Sequence, residues 1–259
     1  ALTVLTAVVV LGGIQSISKA TSFIVPFMAI VYVVGGLAII FLHYDKVIPA
    51  VELICRSAFG LDAVVGGAIG TAIRYGVARG VFSNESGMGS APIAAAAAKT
   101  DHPCRQALVS MTGTFLDTLV VCSITGIVLV IGGLYATSGD TGAALTSHTF
   151  NDLLPGPGGW LVTFGLVFFA YSTILGWCYY GEKCASYLGG EKVVPIYRVI
   201  YVVTVLLGAG VNLGLVWAAA DVFNGLMAVP NLIALLLLSN VIVSETRDFI
   251  QKRRSGELH

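Results

Sequence analysis

Long stretches without a charged residue dominate the hydrophobic pattern of this chain. They cover residues 20–44, 153–181, 199–220 and 222–244. Each is long enough for a helix that crosses the hydrocarbon core of a bilayer, which takes about 20 apolar residues, whereas barrel strands are alternating segments of about 10. The pattern predicts an all-α integral membrane fold.

The polar segments between these stretches predict the connections. Residues 1–13 are predicted to be the end of a membrane span, and residues 12–19 are predicted to form a turn. An amphipathic interface helix is expected between His43 and Asp62, and residues 134–158, which lack Lys and Arg but are rich in Gly, Ser, Thr and Pro, predict an outside loop.

The basic residues in the connections lie in every second connection, and this pattern predicts the orientation of the chain in the membrane. Those expected to be cytoplasmic by the positive-inside rule are Lys19, Lys99, Arg105, Lys183, Lys192 and Arg198. The C-terminal tail conflicts with this rule if Pro230 divides the last hydrophobic region into two crossings, because the basic residues at 252–254 then lie outside the cell. Either the last two segments are not both full crossings, or the charge bias is overruled there.

A crossing expected over residues 63–98 is interrupted in its middle. Residues 80–92 read GVFSNESGMGSAP, which is polar and glycine-rich between two apolar stretches. Broken helices in bilayers usually surround a binding site, because a break exposes carbonyls with negative dipole character at one helix end and N–H groups with positive character at the other. We therefore expect a broken helix around residues 80–90 and place the functional site there.

Composition agrees with a membrane protein. The chain is 56 % hydrophobic and 11 % charged, with a mean hydropathy of +0.89. Its 14 basic and 14 acidic residues cancel, so the expected partner is the lipid bilayer and not nucleic acid. Its five cysteines lie at no zinc or redox spacing. The chain begins with Ala1 and runs apolar at once without a basic leader, from which we expect a fragment of a longer protein.

Ionisable residues inside apolar spans are expensive and should face a polar interior. For Arg74 and Arg79, pairing with acids or snorkelling to an interface is the favoured interpretation. For Glu85, two interpretations stay open: a ligand contact, or a structural clamp on loose backbone N–H groups or a neighbouring helix.

A second group of polar and aromatic residues lies at 168–181, FFAYSTILGWCYYG. Thr173 and Trp177 share a helix face, Ser172 is adjacent, and Phe169 lies one turn earlier. Hydroxyls and an aromatic wall therefore meet in one region. The alternative is that Ser and Thr bond back to helix carbonyls and Trp lies at the headgroup level.

Several of these motifs together resemble the alanine/glycine:cation symporter family. The segments that carry the resemblance are 74–85 (RYGVARGVFSNE), 87–92 (GMGSAP), 99–103 (KTDHP), 115–118 (FLDT) and 172–182 (STILGWCYYGE). It extends to Asp221, Asn224, Met227, Pro230 and Asn231. Ser86 and the alanines at 94–98 stand where relatives often have alanine and a histidine.

The resemblance implies a leucine-transporter-type bundle with an inverted repeat. Family members have about eleven helices, so residues 1–259 would form a single transmembrane domain that corresponds roughly to helices 4 to 11, with the first three missing. The interrupted helix would be the sixth.

The resemblance also implies site residues. Those implied around the substrate are Phe82, Ser83, Asn84, Met88, Thr173 and Trp177. The implied Na⁺ ligands are the Phe169 carbonyl and the hydroxyls of Ser172 and Thr173. The expected function is Na⁺-coupled symport of alanine or glycine into the cell by alternating access, in a multi-pass plasma-membrane protein with no cofactor beyond the coupling Na⁺.

Two other functions remain as alternatives. An intramembrane aspartyl protease would need Asp117 and Asp221 to face each other, and a passive channel would need repeated polar residues along one helix face. A serine protease is excluded because His43, His102, His148 and His259 all lie at helix ends, loops or the tail. We expect that the chain is not an enzyme.

Overall fold

A computed structural model describes residues 2–11, 13–59, 68–156, 158–208 and 210–257. These residues form helices joined by short connections, and no strand occurs among them. The runs that are long and apolar enough to cross a membrane are Ser22–Leu42, Pro103–Gly132, Gly158–Gly189 and Leu213–Leu237. The all-α membrane prediction is confirmed.

The helices follow one another closely along the chain. In order they are α1 (Leu2–Leu11), α2 (Gly13–Leu42), α3 (Tyr44–Phe59), α4 (Ala68–Ser83), α5 (Ala91–Ala95), α6 (Pro103–Thr114), a π-helical segment (Phe115–Cys122), α7 (Ser123–Gly132), α8 (Gly142–Leu153), α9 (Gly158–Gly189), α10 (Val194–Gly208), α11 (Leu213–Leu237) and α12 (Ser239–Ser255). Short 3₁₀ turns occupy Leu134–Ala136 and Glu191–Val193.

The chain divides into two compact units. The first combines Ala1–Thr71 with Val120–Gly210, and the second combines Ala72–Leu119 with Val211–His259.

The first unit has a core where α2, α7, α8 and α9 meet. The buried side chains of this core are Tyr32, Ile39, Ile124, Val128, Phe150 and Val162. Tyr32 shares a 2.6 Å hydrogen bond with the Thr125 hydroxyl, which satisfies a phenol that would otherwise be unpaired among apolar groups. Gly36 faces Ile124 so closely that a Cβ would collide with it. The small residue therefore permits the close approach of α2 and α7.

A smaller cluster joins α1 to α9 in the same unit, and it contains Val10, Tyr171, Leu175 and Cys178. The Tyr171 hydroxyl donates to the Leu5 carbonyl at 3.0 Å. Nearby, Arg198 makes a two-point ion pair with the buried Glu182, at 2.8 and 2.9 Å. This geometry suits a guanidinium and a carboxylate that are both largely removed from water.

Two predicted connections of this unit were wrong in part. Of the turn predicted at 12–19, residue 12 lies outside the described residues, and residues 13–19 are helical because α2 begins at Gly13 and continues to Leu42. The predicted outside loop at 134–158 contains α8, a helix of 12 residues whose Thr149 and Phe150 are buried. Burial against α9 and α7 stabilises α8 in a segment whose Gly, Ser and Thr content favours turns. The helix expected between His43 and Asp62 is present as α3.

The predicted division at Pro230 was also wrong. In the second unit α11 begins after Asn212, whose side chain accepts a 2.9 Å hydrogen bond from the Gly214 N–H, and it continues through Pro230 to Leu237. Proline is tolerated inside helices of membrane proteins, where neighbouring groups satisfy the freed carbonyl. The tail contains one candidate span followed by the charged α12.

Candidate functional site

The predicted interruption is present as a break between α4 and α5, and we call residues 84–90 the break. α4 ends at Ser83 and α5 begins at Ala91, so residues 80–83, which were expected to be part of the interruption, are still helical. The Ser86 N–H bonds to the Val81 carbonyl at 3.1 Å, one residue further back than in an α-helix. This wider turn ends the regular bonding pattern of α4.

The backbone of the break has three residues with positive φ. Gly87 and Gly89 have φ of 75° and 83°, and Glu85 has φ of 52°. Glycine adopts these angles without steric cost, whereas Glu85 is strained there. The Glu85 Oε2 atom is buried and has no hydrogen-bond partner among the described residues. This oxygen therefore does not clamp backbone N–H groups here.

Ser83, the last residue of α4, and Asn84, the first residue of the break, bond to the π-helical segment. The Ser83 hydroxyl donates to Asp117 Oδ2 at 2.6 Å. The Asn84 amide donates to Thr118 Oγ1 at 2.7 Å, and the Thr118 hydroxyl lies 3.0 Å from Asn84 Oδ1. Thr118 is a residue that sequence reasoning missed as part of this site, although it lies in the FLDT motif. π-helical turns often occur at functional sites.

A second contact joins the end of α4 to α11. Arg79 pairs with Asp221 at 3.1 Å, and its guanidinium lies 3.9 Å from the centre of the Trp217 ring. Trp217 in turn meets Phe82 edge to face, with ring centres 6.2 Å apart. The prediction that Arg79 pairs with an acid is confirmed, while the Arg74 side chain lies outside the described part of the structure. Phe82 is thereby positioned by an aromatic neighbour.

The second half of the break packs on α11 beside Asn231. A Cβ added to Gly89 would lie 3.1 Å from Asn231 Oδ1. Met88 and Ser90 are 2 % and 1 % exposed, and the Ser90 hydroxyl has no hydrogen-bond partner among the described residues. Asn231, noted in the sequence only through the family resemblance, therefore contacts the site directly.

The other predicted site residues lie on α9, in the first unit. The Ser172 hydroxyl donates to the Phe169 carbonyl at 3.0 Å, so these two oxygens are adjacent. Thr173 is exposed, and Trp177 meets Tyr180 edge to face with ring centres 5.7 Å apart. The bond from Ser172 is the back-bonding that sequence analysis gave as the alternative, and it also places two neutral oxygens side by side.

Asp117 and Asp221 have different partners. Asp117 accepts from Ser83, whereas Asp221 pairs with Arg79. Their carboxylates share no hydrogen bond within the described residues, as an aspartyl protease would require. The same part of the chain contains no group of three His, Cys, Asp or Glu side chains that would hold a metal ion.

A polar contact secures α12 next to the loop that follows α5. The buried His102 caps α6 by accepting from the Cys104 N–H through Nδ1 at 3.2 Å, and its Nε2 lies 3.1 Å from Asp248. Lys252 lies 2.8 Å from the same carboxylate. Hydrogen bonds from Lys252 and then His102 lower the pKa of Asp248, and the bond to Asp248 raises the pKa of Lys252.

Comparison with known proteins relates the whole chain to one group of transporters. The model of the "Sodium:alanine symporter family" matches residues 1–259. The "Sodium/alanine symporter AgcS" of Methanococcus maripaludis is 60 % identical over 98 % of this chain and 56 % of its own length. The "Probable sodium/glutamine symporter GlnT" of Bacillus subtilis is 35 % identical over 96 % of this chain and 52 % of its own.

A third relative differs in the ions that its name records. The "Sodium/proton-dependent alanine carrier protein" of Bacillus sp. PS3 is 32 % identical over 96 % of this chain and 60 % of its own length. The chain thus spans about half the length of the curated relatives it matches. The family and these relatives are transporters and not enzymes, which overturns the protease alternative. With apolar helices that are suited to several membrane crossings, the chain belongs to the sodium:alanine symporter family.

Proposed function

We propose that the complete protein moves a small neutral amino acid, alanine or glycine, into the cell together with Na⁺ by alternating access. The observation that carries this proposal is the break, where glycines with positive φ and a strained Glu85 interrupt a helix. Non-helical backbone at membrane depth is tolerated where it lines a cavity or is buried in protein. Family membership supplies the class of substrate.

The fold that we propose is a leucine-transporter-type bundle with an inverted repeat. Residues 1–259 form a single transmembrane domain that corresponds to helices 4 to 11 of about eleven. In this assignment α4 and α5 are the two halves of the sixth helix and α9 is the eighth. The break between α4 and α5 supports the assignment of these two helices to one interrupted helix.

The proposed substrate residues lie on two segments. They are Phe82, Ser83, Asn84 and Met88 at the end of α4 and in the break, and Thr173 and Trp177 on α9. Gly87 and Gly89 have no Cβ, so a small ligand can approach the backbone between them. The aromatic rings of Phe82 and Trp177 would limit the size of the substrate side chain.

The proposed Na⁺ site uses neutral oxygens on α9, from the Phe169 carbonyl and the Ser172 and Thr173 hydroxyls. The 3.0 Å separation between the Phe169 and Ser172 oxygens supports it, because a hard cation is held by several oxygens at short range. A hydroxyl that donates to a carbonyl still has lone pairs for a cation.

Uptake of labelled alanine into proteoliposomes that contain the complete protein tests the proposal. We expect uptake that requires an inward Na⁺ gradient and that unlabelled glycine inhibits. A proton gradient imposed without Na⁺ measures H⁺ coupling, and unlabelled glutamine measures the substrate recorded in the name of one relative.

Three outcomes separate the possibilities. Uptake with Na⁺ and not with a proton gradient supports Na⁺ symport. Uptake driven by protons alone would replace Na⁺ by H⁺ as the coupling ion. An uptake rate that is the same with and without an imposed ion gradient would indicate a passive channel.

A further inference from the structure

We propose that the Asp117 carboxylate is the anionic half of a site for a monovalent cationic group, namely the ammonium of the amino-acid substrate. This inference rests on the proposed function. It adds a residue that sequence analysis assigned only to the protease alternative.

Asp117 is an acid in a candidate membrane span, and no cationic side chain pairs with it among the described residues. It lies in the middle of the candidate span Pro103–Gly132 and is half-buried. Its one partner among the described residues is the neutral hydroxyl of Ser83. An ionised carboxylate in such a position is expensive, and in membrane proteins such residues usually belong to a binding site or an ion pathway.

Asp221 is the other acid of the second unit that lies in a candidate span, and it differs from Asp117 in having a cationic partner. Asp221 is neutralised by Arg79 at 3.1 Å, so its charge is explained by structure alone. Outside the spans, Asp101 pairs with Arg105, and Asp248 pairs with Lys252. Asp117 differs from these acids because the part of the chain that the structure describes supplies it with no cation.

The surroundings of Asp117 suit an ammonium group. Ser83 occupies Oδ2 and leaves Oδ1 without a hydrogen bond among the described residues. Thr118, the next residue, bonds with Asn84, the residue after Ser83, so a hydroxyl and an amide oxygen belong to the residues directly next to the Ser83–Asp117 pair in sequence. An ammonium has three donors and no acceptor, and a carboxylate together with neutral oxygens satisfies them.

The ammonium group of an amino-acid substrate has the positive charge that the Asp117 carboxylate would bind. Its ammonium lies next to its carboxylate, so a ligand whose carboxylate approaches the glycine backbone of the break would direct its amine to a nearby acid. Ser83 fixes the orientation of Asp117 through the 2.6 Å hydrogen bond. The same negative charge is also suited to Na⁺, and the two sources are separated by measuring each ligand alone.

The test compares Asp117→Asn with wild type in the complete, purified protein. Asparagine keeps the size and an acceptor for Ser83 but removes the charge. At saturating Na⁺, we expect alanine to bind about 10- to 100-fold more weakly to the variant, since hydrogen bonds to charged groups are strong. Thermal stabilisation by Na⁺ without amino acid should be unchanged. Asp152→Asn, at an exposed acid on α8, is the matched control.

Asp117→Glu is the second variant. It keeps the charge but displaces it by one methylene, and it should bind alanine more tightly than the Asn variant does, or retain binding if the Asn variant does not fold. Equal alanine affinity in wild type and Asp117→Asn overturns the inference. A changed Na⁺ response without amino acid overturns it in favour of a Na⁺ ligand. If the wild type itself does not bind alanine, the proposed function fails as well.

Discussion

The Arg79 guanidinium lies 3.1 Å from the Asp221 carboxylate, although the two residues are 142 positions apart in the sequence. The pair joins the last turns of α4, just before the break, to α11. Trp217 lies under the same guanidinium and touches Phe82. The ion pair therefore holds the first half of the broken helix in place beside a proposed substrate residue.

Removing one member of this pair should destabilise the protein more than removing both. Asp221→Asn leaves Arg79 charged and unpaired in an apolar segment, which costs at most about 3 kcal/mol, and less here because both side chains remain over a third exposed. The double variant Arg79→Gln with Asp221→Asn should recover most of the lost thermal stability. A double variant that is no more stable than the single one would mean that the charges do not interact significantly.

The glycine at the end of the break should be difficult to replace. Gly89→Ala puts a Cβ at a φ of +83° and 3.1 Å from Asn231, and a left-handed conformation costs a non-glycine residue about 1–2 kcal/mol. We expect a lower thermal midpoint and weaker alanine binding. Gly76→Ala is the control, because its Cβ would meet nothing within 4 Å in helix α4 and alanine favours helix. Similar losses at both positions would contradict the role of φ.

The Ser172 hydroxyl should affect Na⁺ more than substrate. Ser172→Ala removes an oxygen that lies 3.0 Å from the Phe169 carbonyl, so the Na⁺ concentration for half-maximal alanine uptake should rise, while binding at saturating Na⁺ persists. Thr204→Ala is a control, since Thr204 also donates to a carbonyl of its own helix, 2.9 Å to Ile200 four residues earlier on α10. An unchanged Na⁺ dependence in Ser172→Ala would leave the hydroxyl as a back-bonding group only.

The indole of Trp177 should limit the size of the substrate. Trp177→Phe and Trp177→Ala should raise uptake of valine and leucine relative to alanine, because single methylenes are discriminated by only about 1–3 kcal/mol unless a wall excludes them. Uptake of all three amino acids by wild type and variants measures this ratio. Trp160→Phe is the control, at an exposed ring that packs on Phe164. If the three uptake rates fall in proportion, Trp177 supports the fold or the gate.

Docking of α12 should depend on pH through Asp248 and Lys252. The pKa of Asp248 is below its ordinary 3.8, so its stabilising contribution is present above that value and is lost as the pH falls through the folded pKa. The pKa of Lys252 is above its ordinary 10.5, so its contribution is lost only as the pH rises through that folded value. Hydrogen exchange of α12 should increase at both extremes.

Single variants distinguish the change in α12 hydrogen exchange at low pH from the change at high pH. Asp248→Asn should remove most of the acid-side change, and Lys252→Gln should remove the change at high pH. Arg253→Gln, in the same last turn of α12, is the control and should leave both changes in place. An acid-side increase of the same size in Asp248→Asn would exclude this carboxylate as its cause.

The sequence predicted the helical membrane fold and the break because both depend on local properties. The length of an apolar run such as 222–244 is read directly from the sequence and predicts a membrane-crossing helix. Glycines near Ser83 and Asn84 weaken a helix whatever the tertiary structure around them. The same local reasoning was wrong about Pro230, which α11 accommodates, and about 134–158, where packing stabilises α8. These packing contacts cannot be predicted from the composition of the two segments.

The tertiary structure decided what each charged residue does. Nothing near Asp117 or Asp221 in the sequence shows that one bonds to a neutral hydroxyl and the other to an arginine. The same holds for Asn231 beside Gly89 and for Thr118 bonded to Asn84. Hydropathy and turn chemistry act between neighbours in the sequence, whereas the pairing of charges and polar groups depends on which helices the fold brings within about 3 Å.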